Sequence, residues 1–138
     1  MCGIIGFTGN LQAPGILVDG LQQLEYRGYD SAGIAVNNGS ETKIVKTTGK
    51  VATLREKVEA VADLAGTCGV TEVNAHPHVS GNVTLIHNGI IENYKELAAS
   101  LKTKGFTAIS ETDTEVAAML IDSLYDGDPF AALKEADQ

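Results

Sequence analysis

The sequence is short of several things. It holds no tryptophan, two cysteines (Cys2 and Cys68) and three prolines in 138 residues, and its 10 lysines and arginines are outnumbered by 18 aspartates and glutamates. No apolar run approaches the roughly 20 residues that cross a bilayer, so no membrane association is expected. No basic region precedes an apolar stretch in the opening Met-Cys-Gly-Ile-Ile-Gly, so no secretory leader is expected and the cytosol is the expected compartment. A disulfide between Cys2 and Cys68 is disfavoured there, and two cysteines supply no zinc-binding spacing. The formal net charge of −8 repels phosphate backbones, which argues against a nucleic-acid partner. Three histidines, His76, His78 and His87, have no carboxylate or cysteine to complete a ligand set, so no metal is expected.

What is present suits one soluble domain. Hydrophobic residues make up 43% of the chain, enough for a core. Gly3 to Thr8 reads as a short strand ended by Gly9-Asn10, and Pro14 opens a helix carrying Ile16, Leu17, Leu21 and Leu24. Ser31 to Asn37 and Glu41 to Thr47 flank the turn Asn37-Asn38-Gly39-Ser40 and form a predicted hairpin. Val51, Leu54, Val58, Val61 and Ala65 recur at steps of three and four, which predicts a helix as far as Ala65. Val83 to His87 reads as a central strand broken by Asn88-Gly89. A helix with Ile91, Tyr94, Leu97 and Leu101 on one face follows, closed by Gly105, and then a strand over Phe106 to Ile109. Thr112-Asp113-Thr114-Glu115 matches a capping box, predicting a helix to about Tyr125, and Asp128-Pro129 opens one more. Strands in hairpins with helices between them favour a layered α+β domain. Cys68 is expected to be a buried small apolar residue.

Position 2 carries the chemistry. A small residue after the initiator Met permits its removal, which would leave Cys2 with both a thiol (ordinary pKa about 8.5) and a free α-amine (about 7.7–8.0). One residue would then supply both nucleophile and base. Taken alone, a cysteine there is more often an accident of the start codon.

Five blocks change those odds. Met-Cys-Gly-Ile-Ile-Gly is followed by Leu24-Glu25-Tyr26-Arg27-Gly28-Tyr29-Asp30-Ser31-Ala32-Gly33, Glu72-Val73-Asn74-Ala75-His76-Pro77-His78, Ile86-His87-Asn88-Gly89-Ile90-Ile91-Glu92-Asn93-Tyr94 and Ser110-Glu111-Thr112-Asp113-Thr114-Glu115. In this order the blocks resemble a class II glutamine amidotransferase. The Tyr-Arg-Gly-Tyr-Asp-Ser wording is similar to the fructose-6-phosphate branch, whereas the purine-pathway branch usually has His-Arg-Gly-Gln-Asp-Ser.

The resemblance implies a four-layer α-β-β-α sandwich of the N-terminal-nucleophile hydrolase kind. It implies hydrolysis of L-glutamine through a Cys2 thioester, with the ammonia passing to a sugar isomerase domain in the full-length enzyme to make glucosamine 6-phosphate. Full-length relatives are expected to be homodimers, and no cofactor is implied. By the same resemblance Asn88 and Gly89 form the oxyanion hole, Asp113 holds the glutamine α-ammonium, and Arg27 helps to order the site. Residue chemistry leaves other readings open: Asn88-Gly89 after a strand is also a turn, Asp113 in a first turn also suits a helix dipole, and Arg27 is also a plausible loop cation.

Two departures bear on this reading. The family's His-Thr-Arg-Trp-Ala-Thr-His-Gly segment, whose arginine clamps the glutamine α-carboxylate, has no counterpart between Gly66 and Glu72. Either the segment is deleted, or the numbering passes over a mobile loop. The second is the expectation here, and it requires a Cα–Cα separation well beyond 3.8 Å within Gly69 to Thr71. Family domains also continue past residue 138, so the chain reads as part of a glutaminase domain without the sugar isomerase domains. The remaining alternatives are a non-catalytic fragment of that domain and a class II glutaminase serving phosphoribosylamine or asparagine synthesis.

Overall fold

The computed structural model describes residues 3–27, 31–72 and 77–137, except for the side chains of Arg27 and Glu72. The chain divides into two compact units, residues 1–77 and 78–138.

The first unit contains β1 (Ile4–Thr8), α1 (Ala13–Leu24), a 3-10 turn (Glu25–Arg27), β2 (Ser31–Asn37), β3 (Thr42–Thr48), α2 (Val51–Ala60) and β4 (Cys68–Glu72). Its four strands form one antiparallel sheet in the order β1-β4-β2-β3. The apolar run of β2 is buried at five successive positions, Ala32 to Val36. The edge strand β3 instead buries only Val45 and Thr47 and exposes Ile44, Lys46 and Thr48, which alternate with them, a pattern set by the two-residue period of a strand. Pro14 starts α1, where its missing N–H costs nothing. The stripe Ala13, Leu17, Val18 and Leu21 joins Ile34, Val36, Val51 and Leu54 in one core. Burying each large aliphatic side chain contributes about 1.5–3 kcal/mol. Lys50 gives α2 no side-chain cap. The Glu25 carboxylate takes that place, accepting from Val51 N–H at 2.9 Å, as the positive end of the helix dipole favours.

Strand β4 corrects three expectations. Residues 68–72 run unbroken between two partners, from Thr8↔Cys68 to Ile4↔Glu72 on one side and from Asn37↔Cys68 to Gly33↔Glu72 on the other. The full sequence is continuous through these positions, and consecutive residues pair with consecutive residues on both flanks. The Arg-Trp segment is therefore missing from the chain itself. Cys68 is a free, exposed thiol rather than a buried one. The helix α2 stops at Ala60 instead of reaching Ala65: Val61 is extended and Asp63 adopts φ 60°. The chain turns there because Gly66 must come down onto the sheet, where its N–H donates to Gln12 Oε1 at 3.0 Å and its carbonyl accepts from Ala13 N–H at 2.7 Å.

The second unit contains β5 (His78–Ser80), β6 (Val83–Leu85), α3 (Tyr94–Thr103), α4 (Asp113–Leu124) and α5 (Pro129–Ala136). Strands β5 and β6 form an antiparallel hairpin. The predicted central strand Val83 to His87 thus ends at Leu85, and among the described residues it pairs only with β5. Asp122 of α4 pins the hairpin turn, accepting from Ser80 Oγ and Asn82 N–H, each at 3.1 Å. Leu101, Val116 and Met119 form the core of this unit. Gly105, at φ 92°, closes α3 as expected. Asp128 caps α5 by accepting from Phe130 and Ala131 N–H.

Phe106 to Ile109 is not a strand. Ile109 is 98% exposed, and the N–H groups of Ile109 and Ser110 donate to the Glu115 carboxylate at 2.8 and 2.7 Å instead of to a neighbouring strand. The capping box is accordingly half realised. Thr112 Oγ1 accepts from Glu115 N–H at 3.4 Å, but the Glu115 side chain reaches back to Ile109 and Ser110, past the cap residue.

Candidate functional site

The site residues named from the sequence fall into two groups. Asn88, Gly89 and Asp113 lie in the second unit, where a hydrogen bond joins Asp113 to Ile91, two residues beyond Gly89. Cys2 lies outside the described residues. Arg27 ends the 3-10 turn of the first unit, and its side chain lies outside the description, as do residues 28–30 and 73–76.

The segment from His87 to Ile91 links β6 to α3. Asn88 and Gly89 are exposed at its crest. Gly89 lies against the His87 ring, where a Cβ would fall 2.8 Å from Nε2 and 3.0 Å from Cε1. The Nδ1 atom of His87 is buried with no hydrogen-bond partner among the described residues. Beyond the crest, Ile91 N–H donates to Asp113 Oδ2 at 2.8 Å. Asp113 is the first residue of α4, whose Thr112 cap fixes where the carboxylate emerges. The hydrogen bond from Ile91 holds the Asp113 carboxyl below its ordinary pKa of 3.8. Burial opposes this, while Thr114 N–H, the nearby His87 and the Thr114 hydroxyl assist it. Asp113 is thus a carboxylate at neutral pH, hydrogen-bonded to the backbone two residues beyond Gly89.

A cavity of about 690 Å³ lies in the same unit, lined by Leu85, His87, Ile91, Leu97, Leu120 and Ile121 among others. Its walls are mainly apolar and neither Asn88, Gly89 nor Asp113 lines it. It is a poor match for a zwitterion, which needs paired charges once desolvated.

Sequence reasoning missed the part played by Glu115. This residue is 7% exposed. Burial pushes its carboxyl up, but hydrogen bonds from Ile109 N–H, Ser110 Oγ and Ser110 N–H, with the nearby His78, bring it below its ordinary 4.5. The folded state therefore binds this proton less readily than the unfolded state. The stabilisation is fully present above pH 4.5 and is lost as the pH falls through the lowered folded-state pKa. Glu115→Gln is expected to cost about 2 kcal/mol at pH 7, because two N–H donors lose a charged acceptor. It should also flatten the acid limb of stability against pH, as thermal unfolding from pH 7 to pH 3 would show. An unchanged acid limb would count against this account.

A family described as glutamine amidotransferase domain matches residues 1–126. The glutamine-fructose-6-phosphate aminotransferase [isomerizing] of Thermus thermophilus is 48% identical over 149 aligned positions, covering 99% of this chain and 24% of the relative. The enzyme of the same name from Gloeobacter violaceus is 49% identical, covering 88% and 22%. The chain thus spans about a quarter of the length of the curated relatives it matches. The 149 aligned positions exceed the 138 residues of the chain, so the Thermus relative has at least 11 positions with no counterpart here. Among solved structures, the glutamine phosphoribosylpyrophosphate amidotransferase from B. subtilis superposes with a TM-score of 0.79 at 26% identity, over 99% of this chain and 32% of that one. An allosteric regulatory enzyme of purine biosynthesis shares the fold, with a TM-score of 0.78 at 24% identity. Among the described residues no helix is long and apolar enough to cross a membrane.

Proposed function

Because the chain belongs to the glutamine amidotransferase domain family, we propose that residues 1–138 are part of a glutaminase domain that hydrolyses L-glutamine at Cys2. The initiator Met is removed, and the α-amine takes the thiol proton directly or through one water. The sulfur attacks the side-chain amide carbon of glutamine. The Asn88 side-chain amide and Gly89 N–H stabilise the oxyanion, an effect worth about 3–4 kcal/mol per donor. The α-ammonium returns its proton to the leaving nitrogen and ammonia departs, leaving a γ-glutamyl thioester. Water then cleaves the thioester, the same amine takes and returns the proton, and glutamate leaves with the thiol restored. Asp113 holds the substrate ammonium and Arg27 helps to order the site.

The observation that carries the proposal is the 2.8 Å hydrogen bond from Ile91 N–H to the Asp113 carboxylate, which links the proposed ammonium acceptor to the backbone two residues beyond the proposed oxyanion donors. In the full-length enzyme the ammonia would convert fructose 6-phosphate to glucosamine 6-phosphate in a sugar isomerase domain. The names of relatives at 42–49% identity support this acceptor over phosphoribosylamine or asparagine synthesis. The full-length protein is proposed to be a cytoplasmic homodimer that needs no cofactor, nucleic acid or membrane.

A second reading, a non-catalytic version of the domain, is favoured by one observation: the unbroken β4 register leaves out the segment whose arginine would clamp the α-carboxylate. A diazo ketone analogue of glutamine separates the two. One covalent adduct on Cys2, on a chain whose intact mass lacks the initiator Met, is the expected result. An unlabelled chain, or labelling at Cys68 alone, would support the non-catalytic reading.

A further inference from the structure

Asn88, Gly89 and Ile90 form an exposed stretch, with Ile90 86% exposed. No apolar burial of its own holds this stretch, so its shape depends on its two ends. At one end the His87 ring lies against Gly89, so that an added Cβ would have to displace the ring. At the other, Ile91 N–H donates to Asp113 Oδ2 at 2.8 Å. Among the described residues the carboxylate is otherwise engaged only by its neighbour: Thr114 Oγ1 approaches Oδ1 at 3.4 Å and Thr114 N–H also bonds the group. A carboxylate has about four acceptor positions, so one oxygen can anchor backbone while the other meets a ligand.

We propose that Asp113 is a positioning residue for the Asn88–Gly89 turn, anchoring it through Ile91 N–H with Oδ2 while Oδ1 remains available to the substrate ammonium. The inference rests on the glutaminase reading above for what the turn does, but not for the anchoring itself. Under it, an amino acid seated at Asp113 and the donors at Asn88 and Gly89 are held by one side chain. Substrate recognition and oxyanion stabilisation are then set in register by the same group.

The test compares two substitutions in the 15N-labelled 138-residue chain. Asp113→Asn keeps an acceptor for Ile91 N–H and loses the charge, whereas Asp113→Ala loses both. Ile91 amide exchange is expected to quicken by at least about tenfold in Asp113→Ala and to stay near wild type in Asp113→Asn. The Asn88 and Gly89 amide signals should move in the first variant only. In ammonia release, Asp113→Asn should raise the KM for glutamine with kcat nearly kept. Asp113→Ala should also lower kcat, by about a hundredfold, as expected when donors are misplaced by about an ångström. Should Asp113→Ala fail to fold, Ile91→Pro removes the donor from the other side, and kcat should fall with KM near wild type. Equal Ile91 protection in the two Asp113 variants, or equal kcat, would overturn the positioning role. A wild-type chain that releases no ammonia would defeat the glutaminase reading, and the amide comparison would still decide the anchoring.

Discussion

Cys2→Ala is expected to abolish ammonia release from glutamine, by at least about ten-thousandfold, as removal of a covalent nucleophile does when no other group can replace it. The size of the effect follows from how much chemistry one residue performs. In the proposed mechanism its sulfur forms the bond that lets the amide nitrogen leave, and its own α-amine moves the proton in both half-reactions. No neighbouring histidine is required as a base, so the thiol and the terminal nitrogen fail together. Cys2→Ser tests the nucleophile separately: the hydroxyl keeps the position, but it is far harder to deprotonate than a thiol with an ordinary pKa of about 8.5. A chain in which a bulky residue inserted after Met1 prevents Met removal keeps the thiol and loses the adjacent amine, and it should be as inactive as Cys2→Ala. Coupled detection of glutamate and ammonia from L-glutamine provides the measurement. Activity retained in either the alanine variant or the Met-retaining chain would end the proposed mechanism.

Gly69→Ala is expected to destabilise the first unit by about 3 kcal/mol, at the upper end of what overpacking usually costs. A Cβ at this position would lie 2.6 Å from the carbonyl oxygen of Ala35 and 2.7 Å from Leu17 Cδ1. The Leu17 methyl is the end of a side chain and has some freedom to turn. The Ala35 oxygen belongs to β2, which is bonded to β4 on one side and β3 on the other. Relief would require β4 to move away from β2 while it also holds β1. For a unit of about this size the cost corresponds to a fall in Tm of roughly 15 °C. Gly15→Ala is the matching control. It sits in α1 with nothing within 4 Å of an added Cβ, and alanine there should be neutral or stabilising by up to about 1 kcal/mol. Thermal unfolding of both variants measures the contrast, and a Gly69→Ala chain that melts with the Gly15→Ala chain would refute the packing argument.

The α+β class and the family were legible in the residues themselves. The β2–β3 hairpin was readable because Asn37 to Ser40 is local turn chemistry between two apolar stretches; Gly39 N–H donates to Asn37 Oδ1 at 2.7 Å and Ser40 N–H to Asn38 Oδ1 at 2.9 Å. The starts of α4 and α5 were equally readable, since Thr112 and Asp128 act on N–H groups only two or three residues ahead. The site was legible in part. Asn88, Gly89 and Asp113 could be named from their blocks, but the bond between Asp113 and Ile91 spans 22 residues of sequence and leaves no periodic trace.

The sequence by itself determined the local elements, the acidic and tryptophan-free surface chemistry, and the motif blocks that mark the family, because each depends on neighbouring residues or on composition. Only the tertiary structure decided that Cys68–Glu72 is an interior strand with an exposed thiol at its start, that Ile109 and Ser110 give their N–H groups to Glu115, and that Asp113 anchors the segment bearing Asn88 and Gly89. These outcomes depend on which distant group reaches a backbone donor or acceptor first. That competition is settled by packing between elements, which a local sequence pattern does not encode.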